Sequence, residues 1–167
     1  MKKCTVVSVV LFSVFLAASC ATKSPAVITV EVAEEAATDD EFTQEEANEA
    51  FANAYFKYRG LLILDGAGTY RVVRGDTLGG IARTNYQGKN GYFYPLIMLA
   101  SSDNVQVQDP DLIEPGMELT IPNLQKNLDE PSAKSALKAF LAEVAKIYEQ
   151  KEKYNDRDAL QALSDSL

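Results

Sequence analysis

The chain has no histidine and no tryptophan among its 167 residues, and only two cysteines. Without imidazole there is no His-ligated zinc peptidase site, and no Ser–His–Asp or Cys–His nucleophile. Cys4 lies inside an N-terminal export signal, which leaves Cys20 alone in the mature chain with no intramolecular disulfide partner. Lys and Arg are outnumbered 16 to 24 by Asp and Glu, for a net charge of -8, and no basic patch forms. Nucleic acid is therefore excluded as a partner. Paired carboxylates are the remaining route to glycan cleavage. However, Glu45, Glu46, Glu49, Glu149 and Glu152 fall on the polar faces of predicted helices. The sequence predicts no catalytic residue, no metal site and no cofactor.

What is present begins with the signal. Lys2 and Lys3 form a positive start, and an apolar run follows from Val6 to Ala18, interrupted only by Ser8 and Ser13. That run is shorter than the ~20 residues a membrane-spanning helix needs. Small residues at Ala17, Ala18 and Ser19 suit a cleavage site. The run Leu16-Ala17-Ala18-Ser19-Cys20 resembles a bacterial lipobox, although Ala17 stands where leucine is preferred. The resemblance implies lipidation at Cys20 and anchoring to a lipid bilayer. Two or more acyl chains hold firmly, at about 0.8 kcal/mol per buried CH₂. Ala21 after the cysteine favours the periplasmic face of the outer membrane as the destination.

From Ala21 to about Asp40 the composition is Ala, Val, Glu and Thr without a sustained period, although Ile28–Val32 has strand character. This reads as a flexible tether with a root-mean-square reach of roughly 25 Å. Thr43 followed by Glu46 is a capping box. Ala47, Ala50, Phe51, Ala54, Tyr55, Tyr58, Leu61 and Leu62 then recur at three- and four-residue steps, predicting a helix to about Leu62. A second helix is predicted from Pro131 or Ser132 to about Lys153, with Ala133, Leu137, Phe140, Leu141, Val144, Ile147 and Tyr148 inward. Asn155-Asp156 is expected to interrupt it before a short final helix or tail from Asp158. The two long helices are expected to pack antiparallel on each other and on the segment between them, or else to offer their faces to a partner.

That middle segment reads as β-α-α-β. Tyr70-Arg71-Val72-Val73 is strand-prone, and Gly75 supplies a turn. Asp76 or Thr77 can cap a helix starting near Leu78, with Leu78, Ile81 and Ala82 inward. Gly79-Gly80 is unusual there, since each glycine costs about 1 kcal/mol relative to alanine. Pro95 suits the first turn of a second helix carrying Ile97, Met98, Leu99 and Ala100. Asp109-Pro110-Asp111 and Pro115-Gly116 make turns before a strand at Leu119-Thr120-Ile121. Tyr92, Phe93 and Tyr94 are expected to pack on a flanking helix, with lining of a site as the other option.

Gly75-Asp76-Thr77-Leu78, paired with Pro110-Asp111-Leu112-Ile113 and Pro115-Gly116 before Leu119-x-Ile121-Pro122, resembles the LysM (lysin motif) family. The resemblance covers Tyr70 to Pro122. It implies an α+β fold, a small βααβ LysM module flanked by N- and C-terminal helices. The expected organisation is a signal at 1–19, a tether at 20–42, a helix at 43–66, the LysM domain at 69–123 and a helical segment at 130–167. It also implies non-catalytic binding of peptidoglycan or another N-acetylglucosamine glycan. The groove would lie between Gly75, Asp76, Thr77 and Leu78 on one side and Pro110, Asp111, Leu112 and Ile113 on the other. Gly79 stands where many members carry Trp or another bulky residue, and the chain offers no Trp as a sugar platform. The competing expectation is an envelope scaffold whose LysM fold recruits a protein partner through its helices. An exposed groove would favour glycan, and a groove covered by the C-terminal helix would count against it.

Overall fold

The computed structural model describes residues 41–65 and 68–167. The expected export signal, Cys20, the expected tether as far as residue 40, with its strand-like Ile28–Val32 run, and Gly66 and Ala67 lie outside the described residues.

Helix α1 spans Gln44–Arg59. The capping box is formed: Thr43 N–H donates to Glu46 Oε2 at 2.8 Å, and Glu46 N–H donates to Thr43 Oγ1 at 3.2 Å. Two otherwise unpaired backbone donors are satisfied, which sets the start of the helix. Ala47, Phe51, Ala54, Tyr55 and Tyr58 form its buried stripe. The helix ends at Arg59 with Gly60 as its cap, three residues short of the expected Leu62. Beyond that point the helical step no longer turns Leu61 inward, and it is 57% exposed.

Strand β1 (Gly68–Arg71) pairs antiparallel with β2 (Glu118–Ile121), Tyr70 opposite Leu119. The strand thus starts two residues before the expected Tyr70. Beyond it, Val72 N–H donates to Met117 O and Gly116 N–H donates to Val72 O. Gly116 adopts φ +99, which favours glycine. Between the strands lie α2 (Leu78–Asn85) and α3 (Tyr94–Ser101), the latter with proline in its first turn. Ser101 Oγ donates to Ile97 O and accepts from Thr120 N–H at 2.8 Å, tying α3 to β2. The middle segment is therefore β-α-α-β.

Helix α4 (Leu124–Asp129) was not foreseen; Asn123 caps it. On it, buried Asn127 exchanges two hydrogen bonds with the backbone of Ile63, fixing the chain that leaves α1. Helix α5 runs Pro131–Gln150 and α6 runs Tyr154–Ser166. The break expected at Asn155-Asp156 falls at residues 151–153, where Glu152 takes φ +57. Asn155 and Asp156 sit instead in the first turn of α6, and an acid there complements the positive end of the helix.

Helices α1 and α5 pack antiparallel. Phe51, early in α1, meets Tyr148, late in α5, at a ring separation of 5.6 Å. Tyr58, late in α1, meets Phe140, early in α5, at 5.4 Å. Lys57 pairs with Glu143 across the same seam. One core joins these faces to Leu96, Ile97 and Leu99 of α3, Leu119 of β2 and Leu160 of α6. Each such fully buried side chain contributes about 1.5–3 kcal/mol. The faces that a partner-recruiting scaffold would use are thus occupied within the chain. Among the large apolar side chains outside the core, Phe56 is 87% exposed.

Candidate functional site

The turn after β1 is built by Asp76. Its N–H donates to Val73 O, while its Oδ2 accepts from Val73 N–H at 2.8 Å and from the Tyr70 hydroxyl at 2.9 Å. The carboxylate therefore braces the turn and does not cap the helix. Thr77 is the cap, its Oγ1 accepting from Gly80 N–H. Gly75 takes φ +95 at the tip of this turn. The result aims the start of α2 outward, and the first N–H groups of a helix lack intrahelical partners.

The opposing loop is held by the flanking helices. Asp109 is fully buried. Its Oδ1 accepts from Asp111 N–H at 3.0 Å, and its Oδ2 accepts from Gln44 Nε2 at 2.6 Å and Lys151 Nζ at 2.5 Å. Asn48 Oδ1 accepts from the N–H groups of Gln108 and Asp109. Lys151 also donates to Asp111 Oδ2 at 2.5 Å, and Lys153 donates to the same oxygen at 2.8 Å. The Tyr148 hydroxyl reaches Asp111 Oδ1 at 3.3 Å. Burial pushes the Asp111 carboxyl up, but hydrogen bonds from the two lysines outweigh it and hold its pKa below the ordinary carboxylate value. Lys151 lies over the rings of Phe51 and Tyr148, at 5.5 and 5.4 Å. A charged clamp from α1 and the end of α5 thus sets the position of residues 109–111.

Between the two loops lies an open groove of about 470 Å³. The structure brings Asp76, Thr77, Leu78, Pro110, Asp111 and Ile113 together along it. Gly75 and Leu112 are the two expected residues that do not line it; both are exposed, Leu112 at 40%. Thr77 and Asp111 share the groove, and the C-terminal helices form part of its wall without closing it.

Sequence reasoning missed several lining residues. Gly79, Gly80 and Arg83 come from α2, and Gly91 comes from the turn before α3. Tyr148 and Asp156 come from α5 and α6. The unusual Gly79-Gly80 pair was the available signal. A Cβ on Gly91 would sit 2.7 Å from Gly79 O, so the two backbones touch there, while a Cβ on Gly79 would meet open space. Tyr92 and Tyr94 line the groove and also pack inward, Tyr94 being buried. Burial, and then Asp156, raise the pKa of Tyr92. Burial does the same for Tyr94 and Tyr148, so all three remain protonated donors. Among the described residues no group of acids or cysteines is arranged to hold a metal ion.

Residues 70–122 match the family model of the LysM domain, so the chain contains a LysM domain at those positions. LysM domains generally bind glycans containing N-acetylglucosamine, peptidoglycan among them, and are binding modules without catalytic chemistry. No curated protein matches the chain, and no solved structure matches it.

Proposed function

We propose that this chain is a non-catalytic envelope lipoprotein, held to a bacterial membrane through Cys20, whose groove binds the glycan strands of peptidoglycan. The observation that carries the reading is the open groove between the two loops of the LysM domain, with Asp76–Leu78 on one side and Pro110, Asp111 and Ile113 on the other. Free N–H groups at the start of α2 suit the acetamide carbonyl of a sugar. Ile113, half-buried, offers apolar contact to its methyl group and ring, while Leu78 is buried in the core beneath the groove. Tyr92 supplies the half-buried aromatic surface that a missing tryptophan would otherwise give, with a hydroxyl to bond polar ligands. Asp111 serves by holding its loop, since its carboxylate is engaged by two lysines. Such an open site binds weakly, and tethering beside the wall compensates by raising effective concentration. The periplasmic face of the outer membrane is the expected location, on the strength of Ala21.

The test is co-sedimentation of the full-length protein with purified peptidoglycan, beside a Thr77→Trp, Ile113→Arg variant. The indole and guanidinium obstruct the groove, at a cost of about 1 kcal/mol for the lost helix cap. Retention of the native circular dichroism spectrum checks the variant's fold. Co-sedimentation of the wild type alone supports the reading. If neither co-sediments while both are folded, direct wall binding is wrong, and exposed Phe56 becomes the place to look for a protein partner.

A further inference from the structure

Four charged side chains line the groove, and two of them are committed. Asp76 braces its own turn, and Asp111 is held by Lys151 and Lys153. Arg83 and Asp156 are left. Arg83 is exposed on α2 and makes no ion pair among the described residues. Asp156 is half-buried, and its carboxylate accepts one hydrogen bond from a side chain, the Tyr92 hydroxyl at 3.2 Å. Its remaining lone pairs are available to a ligand.

A free guanidinium and a free carboxylate in one groove have no counterpart in a plain N-acetylglucosamine oligomer, which offers only hydroxyls and acetamides. A peptidoglycan strand differs in chemistry. Alternate sugars carry a lactyl group extended by a short peptide, with carboxylate and ammonium groups of its own. An arginine fork matches a carboxylate in two parallel hydrogen bonds. An aspartate beside a tyrosine hydroxyl matches an ammonium.

We infer that Arg83 and Asp156 make this groove select peptide-bearing glycan over unsubstituted N-acetylglucosamine oligomer, Arg83 taking a carboxylate and Asp156 an ammonium group. The inference rests on the glycan-binding reading above. It also gives α6 a part in recognition, because Asp156 lies outside residues 70–122. Specificity then belongs to the whole helical frame and not to the LysM domain alone.

Calorimetry on the full-length protein tests this with two ligands of equal sugar count: an N-acetylglucosamine tetramer and a soluble muramyl-peptide fragment. The wild type should favour the fragment by about tenfold, as a charge-assisted pair requires, and the preference should shrink in high salt. Arg83→Gln should remove most of the preference by weakening the fragment, with any change in tetramer affinity the smaller of the two. Asp156→Asn keeps an acceptor for the Tyr92 hydroxyl, and should remove a smaller part. Thermal melts confirm that both variants fold. Equal wild-type affinity for the two ligands, or a preference untouched by both substitutions, overturns the inference while the glycan reading stands. A wild type that binds neither ligand overturns both.

Discussion

Replacing Lys151 with methionine isolates the charge that holds the groove's second wall. Methionine keeps the length of the apolar stem, so packing over Phe51 and Tyr148 is largely preserved. What is lost is the ammonium between Asp109 and Asp111, 2.5 Å from each. Removing one partner of a buried ion pair costs about 3–5 kcal/mol. Asp109 is fully buried but keeps Gln44 Nε2 and Asp111 N–H as donors, which places the expected loss near the lower end, about 3 kcal/mol. For a domain of this size that is a fall of roughly 10 °C in melting temperature. The pH dependence follows from Asp111, whose folded pKa is lowered by Lys151 and Lys153 against its burial. Its stabilisation is complete above the unfolded-state value of about 3.9. It is lost as pH falls through the lower folded value. Lys151→Met removes part of that lowering, so the acid limb of a stability profile should flatten. Urea unfolding at neutral and acid pH measures both effects. A loss below about 1 kcal/mol would refute the buried-pair reasoning, as would an acid limb identical to that of the wild type.

Two further substitutions probe the backbone, one at the groove and one where the chain leaves α1. Gly91→Ala places a methyl 2.7 Å from Gly79 O, where neither backbone can yield cheaply. It should destabilise by about 1–3 kcal/mol in urea unfolding, and weaken glycan binding by forcing the start of α2 away from the turn before α3. Asn127→Leu strips Ile63 N–H and C=O of their partners at one stroke. With each unsatisfied group costing about 1–3 kcal/mol, a total near 3 kcal/mol is expected in the same assay. A near-neutral result would mean that water replaces the amide.

The βααβ order and both long helices were legible because they rest on local signals. Thr43 with Glu46 sets where α1 begins, Pro95 and Pro131 mark first turns, and the apolar step of α5 points Leu137 through Tyr148 inward. Element ends were less legible. A strongly apolar Leu61 extends the helical pattern on paper, while Gly60 ends the helix in fact. The α5–α6 break was misplaced for a related reason. Asn155-Asp156 is turn-like in composition, but the same residue types suit a helix's first turn. Helix α4 was missed because six residues give too little period to see. At the site, the two loops came from a resemblance, whereas Tyr148 and Asp156 are brought there only by tertiary packing; Arg83 follows from Gly79 by one turn of α2. No spacing along the chain links Asp156 to Tyr92.

Asp109 shows why the groove and its helical frame are best understood together. On the sequence it is one more acid beside a proline, and its natural reading is a turn. In the fold it is fully buried, and a buried carboxylate without partners is too costly to keep. Its partners come from Gln44 at the start of α1 and Lys151 just past the end of α5, separated from it by 65 and 42 residues. The antiparallel pairing of those two helices is what brings both donors to the same end of the molecule. The apolar stripes that close the core therefore also deliver the charges that position Pro110 and Asp111. A change in the α1–α5 seam would reach the groove through Asp109 without touching any residue that lines it. Conversely, Arg83 and Asp156 make no ion pair with that clamp among the described residues, although the Asp156 charge, after Asp111 and Asp109, helps to raise the pKa of Lys153. Stability and ligand preference are thus assigned mainly to different ionic groups, and at Arg83 the two can be varied separately.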